Sequence, residues 1–168
     1  MSEVQPGVKR WQRLGDILVE EFALPRERVD AALALQAAKG MRLGTALLEM
    51  KALVPETLGR ALARQFSLPF LATLPDDQTS QELLKDLPIG FAKEYLIFPL
   101  ERLTGRLRVA IADPLDRLPL NDLSTLTGVA VDPCLATPEE ILRAINRAYE
   151  EQAGGAQADV LLERLADR

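Results

Sequence analysis

The sequence predicts an α+β chain: an N-terminal four-helix subdomain built from two tandem helical-pair repeats, followed by a small α+β subdomain of order β-β-α-β-α. Three observations carry this reading. Residues 13–36, RLGDILVEEFALPRERVDAALALQ, recur without a gap as residues 42–65, RLGTALLEMKALVPETLGRALARQ, offset by 29 residues. Within both copies the apolar residues follow helical spacing, and a proline opens the second segment. Beyond residue 96 the period shortens, and alternating apolar runs flank Thr104-Gly105, a hairpin signal.

Each element follows from its own signals. Leu14, Ile17, Leu18 and Glu21 stand at i, i+3, i+4 and i+7 and predict a helix ending near Phe22. Pro25 starts a second helix with Val29, Ala32, Leu33 and Gln36 on one face. The second copy gives a helix over Leu43–Met50, a start at Pro55, and the face Leu58, Ala61, Leu62 and Gln65. Helical repeats therefore occupy residues 11–68, preceded by a polar arm over residues 1–10 with Pro6-Gly7. The second subdomain is predicted over residues 69–150. It opens with short helices over Ser80–Asp86 and Ile89–Tyr95, and strands follow over Ile97–Arg102 and Arg106–Ala112. A helix over Leu118–Leu126, a strand over Val129–Leu135 and a helix from Pro138 to Tyr149 complete it. Thr137 and Glu140 bracket that last helix start as a capping box. Residues 151–168, with Gly154-Gly155, read as a linker and the start of a further segment, so the chain is expected to be a piece of a longer protein.

Composition narrows the function. A chain of 168 residues, 48% apolar and 27% charged, can bury a sizeable core. Its net charge of −5 argues against nucleic-acid binding through a basic surface, but leaves room for a small anion held by a few arginines. The sequence has no histidine and one cysteine, Cys134, which excludes histidine-based catalysis, histidine zinc sites and an intrachain disulfide. No metal site is expected. No apolar run reaches membrane-spanning length and the first residues lack a secretory signal, which points to the cytoplasm. The pattern G-x-x-x-x-G-K-[ST] does not occur, and Asp113 and Asp116 read as turn and cap residues rather than an acid pair; no catalytic residue is assigned and the chain is not expected to be an enzyme.

Three features recur in both copies and each costs some helix stability. Arg13 and Arg42 put a cation at a helix start, against the dipole. Gly15 and Gly44 stand where alanine would favour the helix by about 1 kcal/mol. Gln36 and Gln65 bring an amide into an apolar stripe. One reading assigns all three to a ligand with two similar halves, each bearing a phosphate and a base. Bare helix N–H groups and an arginine would take the phosphate, glycine would give the ligand room, and glutamine would meet a base edge. A cyclic dinucleotide has that shape. The other reading is a plain helical scaffold, in which Arg pairs with Glu20 or Glu49, Gly lets helices pack and Gln caps a helix end. Residue pattern alone leaves both open.

The doubled R-L-G-x-x-[LIVA]…L…L-x-x-Q, with five residues between copies, resembles the MshEN domain, the N-terminal domain of type II secretion and type IV pilus assembly ATPases. Leu68-Pro69-Phe70, Leu87-Pro88, Phe98-Pro99-Leu100, the stretch Val109 to Pro114 and Ala136 to Ile141 resemble that family's second half. The resemblance implies cyclic di-GMP as ligand, with no cofactor. It implies as partners the C-terminal ATPase domain of the same protein and an inner-membrane platform protein, with neither nucleic acid nor membrane insertion. The ligand residues it implies are Arg13, Leu14, Gly15, Val29, Leu33 and Gln36, then Arg42, Leu43, Gly44, Leu58, Leu62 and Gln65, with Asp113 toward a guanine edge. A nucleotide-independent docking domain on the platform protein is the alternative. It draws on Phe22 and Lys51, which stand where the family has a glycine to cap the first helix of each copy.

Overall fold

Which helix meets which is decided in the first unit by the repeat. The computed structural model describes residues 13–75, 83 and 87–166, with side chains omitted over 151–163; the predicted arm and all but Leu83 of the predicted helix at 80–86 lie outside the described residues. The chain divides between Ser67 and Leu68 into two units.

In the first unit, α1 spans Leu14–Phe22, α2 Arg26–Lys39, α3 Leu43–Glu49 and α4 Pro55–Phe66. Pro25 and Pro55 open the second helix of each copy as the sequence predicts, although Pro25 is the N-cap of its helix and Pro55 the first helical residue. Packing crosses between copies: α1 lies against α4 and α2 against α3. Ion pairs follow the same exchange, with Arg64 of α4 reaching Glu21 of α1 at 3.2 Å and Lys39 of α2 reaching Glu49 of α3 at 3.8 Å. At the centre of the buried core Ile17, Leu18 and Ala32 cluster with Ala46, Leu47 and Ala61. These are three pairs at the 29-residue offset, so the two copies form one pseudo-two-fold core.

The glycines are filled by helix packing. A methyl group on Gly15 would lie 2.9 Å from Val29 Cγ1 and 3.6 Å from Leu43 Cδ2, and one on Gly44 would lie 3.1 Å from both terminal carbons of Leu58. The room expected for a ligand at these positions is thus occupied by the second helix of the same copy. Leu33 also departs from its predicted place. It is 44% exposed while Val29 and Ala32 on the same helix are buried. An alanine-rich α2 buries its narrow face through Val29 and Ala32 and turns Leu33 outward.

The turn after the first helix of each copy closes without glycine. In the first copy Ala23, not Phe22, takes the left-handed conformation at φ 55°; in the second it is Lys51, at φ 54°. A side chain there costs roughly 1–2 kcal/mol. The same bond nonetheless closes both turns, from the N–H of Ala23 to the carbonyl of Leu18 and from Ala52 to Leu47.

In the second unit, α5 spans Ile89–Tyr95, β1 Ile97–Leu103, β2 Arg106–Ile111, α6 Leu118–Thr127, β3 Ala130–Leu135 and α7 Pro138–Ala166. This is the predicted β-β-α-β-α order. The sheet runs β1-β2-β3, with β1 antiparallel to β2 across the Thr104-Gly105 turn and β3 parallel to β2 through the α6 crossover. Register slips by one residue between Pro99 and Glu101, a bulge at Leu100. Leu71 donates to the carbonyl of Leu135, and Leu135 donates to that of Pro69, both at 2.8 Å, so residues 69–71 border part of the free edge of β3. Ile141, Ala144, Ile145 and Ala148 give α7 a fully buried stripe. Thr137 accepts the N–H of Glu140 at 3.3 Å as the predicted cap, while the Glu140 carboxylate accepts the N–H of Leu74 at 2.8 Å. Arg143 pairs with Glu140 and donates to the carbonyl of Leu74, so one ion pair holds both backbone groups of that buried residue.

The predicted linker is the main correction in this unit, because α7 continues through residues 151–157 to Ala166. Gly154 and Gly155 disfavour helix by about 1 kcal/mol each, but Gln152, Ala153, Ala156 and Gln157 around them are strong helix formers.

Two predictions follow from this packing. Val29 is 1% exposed and stiff at χ1, so Gly15→Ala should lower stability by about 1–2 kcal/mol, steric overpacking outweighing the gain in helix propensity. Gly44→Ala should be close to neutral, because the end of Leu58 can rotate away; urea denaturation of the two variants measures the difference. In the second unit, the Tyr149 hydroxyl donates to the carbonyl of Leu87 at 2.6 Å, and burial pushes its pKa from 10 up to about 12. A raised folded-state pKa means that this contribution is whole below pH 10 and is lost as pH climbs toward 12. Tyr149→Phe should cost about 0.5–1.5 kcal/mol at neutral pH and should flatten the alkaline fall in stability, read from denaturation curves across that range.

Candidate functional site

Arg13 and Arg42 are the N-cap residues of α1 and α3, with backbone angles of −71°, 145° and −73°, 152°. Their equivalence is therefore structural as well as sequential. Neither helix start receives a capping hydrogen bond from a side chain. The first-turn N–H groups are left for solvent or for an outside acceptor, and the positive end of each helix dipole is not quenched by its own cap. Leu43, the first residue of α3, packs beside Gly15 in the first turn of α1, which makes the two helix starts neighbours.

The scaffold reading made specific claims about these residues. Glu49, one of its two nominated partners for an arginine, pairs instead with Lys39. Arg13 is exposed, and its side chain makes no ion pair or hydrogen bond among the described residues. Gln36 is half-buried on α2, and its side chain makes no hydrogen bond among the described residues either. Capping of α2 at Gly40 is by the backbone, from the N–H of Gly40 to the carbonyl of Gln36 at 2.8 Å. On glycine, by contrast, the scaffold reading describes what is seen, since Gly15 and Gly44 serve helix packing.

The apolar candidates separate into two groups. Val29 is buried and Leu14, Leu43, Leu58 and Leu62 are half-buried, so they form the floor of the repeat. Leu33 is exposed and can offer its side chain to something outside. Gln65, half-buried on α4, occupies the position equivalent to Gln36. Twelve of the thirteen sequence-predicted site residues thus belong to the first unit, on all four of its helices or their N-caps.

Asp113 belongs to the second unit. It follows β2, and its carboxylate accepts the N–H of Leu115 at 3.0 Å, while Asp116 accepts the N–H of Leu118 at 3.2 Å. Both are turn-forming carboxylates, as the local sequence indicates. One charged pair near the helix starts was not foreseen. Asp16, in the first turn of α1, is bridged at 3.3 Å by Arg26, the first residue of α2. Ten residues and a turn separate the two, a spacing that gives no periodic signal.

Among the described residues no group of acids and Cys134 could hold a metal ion, and no helix is long and apolar enough to cross a membrane. Burial raises the pKa of the Cys134 thiol, away from nucleophilic use.

Comparison with known proteins places these features. The MshEN domain family matches residues 66–155, more than half of the chain. The type IV pilus assembly ATPase PilB is similar in two organisms. In Myxococcus xanthus it is 31% identical over 140 residues, covering 83% of this chain and 25% of the relative. In Thermus thermophilus it is 35% identical over 142 residues, covering 83% and 16%. Bacteriophage adsorption protein B of Escherichia coli is 27% identical over 141 residues, covering 84% and 19%. The chain spans a quarter or less of each of these relatives. The solved structure of MshE with cdg aligns at a TM-score of 0.70 and 29% identity, covering 82% of this chain and 99% of that one. Coverage of that extent takes in much of the tandem repeat, which precedes the residues matched by the family. The chain belongs to the MshEN domain family.

Proposed function

We propose that the first unit binds cyclic di-GMP across the starts of α1 and α3. We further propose that the chain is the cytoplasmic regulatory N-terminal domain of a type II secretion or type IV pilus-type assembly ATPase. The observation that carries the binding proposal is the matched pair of N-cap arginines, Arg13 and Arg42, on neighbouring helix starts that no side chain caps. A two-fold ligand with two phosphates suits a two-fold arrangement of two such starts. Each phosphate would take first-turn N–H groups and a guanidinium fork. Gln36 and Gln65 would face the guanine edges, and Leu14, Leu33, Leu43, Leu58 and Leu62 would contact the flat faces of the bases, with the buried Val29 supporting them from beneath. Gly15 and Gly44 act one step back, letting Val29 and Leu58 come close enough to form that floor. The similarity to MshE, solved with cdg, which we read as cyclic di-GMP, supports the choice of ligand.

The attachment to an ATPase rests on the PilB relatives, of which this chain matches a minor part. Its proposed partners are the ATPase body of the same protein and an inner-membrane platform protein, through which the chain would be peripheral to the membrane. The docking reading without nucleotide rests on Phe22 and Lys51, at turns that close through the same backbone bond in both copies.

Titration calorimetry of the chain with cyclic di-GMP should give saturable binding. Arg13→Ala and Arg42→Ala should each weaken it by at least tenfold, about 1.4 kcal/mol, while leaving the melting temperature within a few degrees. A folded wild-type chain with no saturable heat, or arginine variants that bind as wild type, would contradict the proposal.

A further inference from the structure

The two helix starts carry different charges. In the first turn of α1 stands Asp16, bridged by Arg26 at 3.3 Å; the equivalent residues of the second copy are Thr45 and Pro55. Both members of the pair are about half exposed, 50% and 45%, so the bridge itself adds little to folding. A carboxylate at this point of a helix is favoured by the dipole, which makes it a resident competitor for any outside anion. Arg26 offsets the competing charge, and while engaged with Asp16 it is withheld from the ligand.

Resting on the proposed cyclic di-GMP site, we propose that the Asp16–Arg26 pair sets the affinity of the first half-site, Asp16 competing with the ligand phosphate at the start of α1. The first turn of α3 holds no acid, Thr45 standing where Asp16 stands in α1. Asp16→Thr, which copies the second repeat, removes the competing charge and releases Arg26 as a further cation at the start of α1. Affinity for cyclic di-GMP should rise about two- to fivefold, a range set by the strength of charge interactions at a helix start. The melting temperature should fall slightly, since the dipole loses its acid. Arg26→Ala leaves Asp16 uncompensated and should weaken binding by a similar factor. The double variant should lie between the two singles. Raising the salt concentration should shrink the gain of Asp16→Thr, because exposed charges are screened.

Calorimetry with these three variants, at low and high salt, is the test. Tighter binding by Asp16→Thr that fades with salt supports the proposal, and so does binding that only Asp16→Thr shows. Equal or weaker binding by Asp16→Thr, with the wild type binding, overturns this inference and leaves the site standing. No binding by any form overturns both.

Discussion

Packing of the two copies on one another, with the missing side chain of Gly15 admitting Val29, is what the helical unit depends on. Only without a Cβ at Gly15 can Val29 stand 2.9 Å from that point. Leu58 lies 3.1 Å from the matching point at Gly44, and its end can turn aside. In both copies a residue of the second helix covers the first turn of the first. The helices bury most of their faces on the other copy, α1 on α4 and α2 on α3. Six of the buried residues then fall into three pairs at the repeat offset, with Val29 and Ala63 buried in addition. The same geometry sets Leu43 beside Gly15 and so makes neighbours of two helix starts that are distant in sequence.

Several choices in this unit work against folding. N-cap positions go to arginine rather than to an oxygen-bearing side chain, three non-glycine residues (Ala23, Lys51 and Ser67) sit in the left-handed region, and Leu33 faces solvent. The two arginine caps fall at corresponding places in the copies, while the left-handed residues of the two turns, Ala23 and Lys51, are one position out of register. The cluster at the centre of the core supporting them is small, with three alanines among its six residues. A unit of this size has little stability to spare, and features of this kind persist in such a unit when something other than stability holds them. Arginine at a bare helix start is the clearest case, since asparagine, aspartate or serine would cap it better.

The sequence was most legible where local chemistry decides the outcome. Pro25 and Pro55 mark helix starts because proline loses nothing there, and Thr104-Gly105 marks the hairpin because the turn needs the positive φ of 71° that Gly105 supplies. It misled where two causes ask for the same residue. A glycine leaves identical space for a ligand or for a neighbouring helix, and only coordinates show that Val29 and Leu58 take it. Helical spacing puts Leu33 on the buried stripe because it shows an apolar face but not its edges, and alanines blur those edges in α2. Gly154-Gly155 reads as a break by residue type, yet the helix formers on both sides carry α7 through it. The Asp16–Arg26 bridge crosses a turn whose geometry had to be known first. At Asp113 the local turn signal described the contact that is made.

The central claim is that the two copies act as one site rather than as two independent scaffolds. Amide hydrogen exchange with and without saturating cyclic di-GMP tests it most directly. The amides of Leu14 to Asp16 and of Leu43 to Thr45 should become protected together, over the same range of ligand concentration. Protection at one helix start alone, or at neither while the ligand binds elsewhere, would contradict the account.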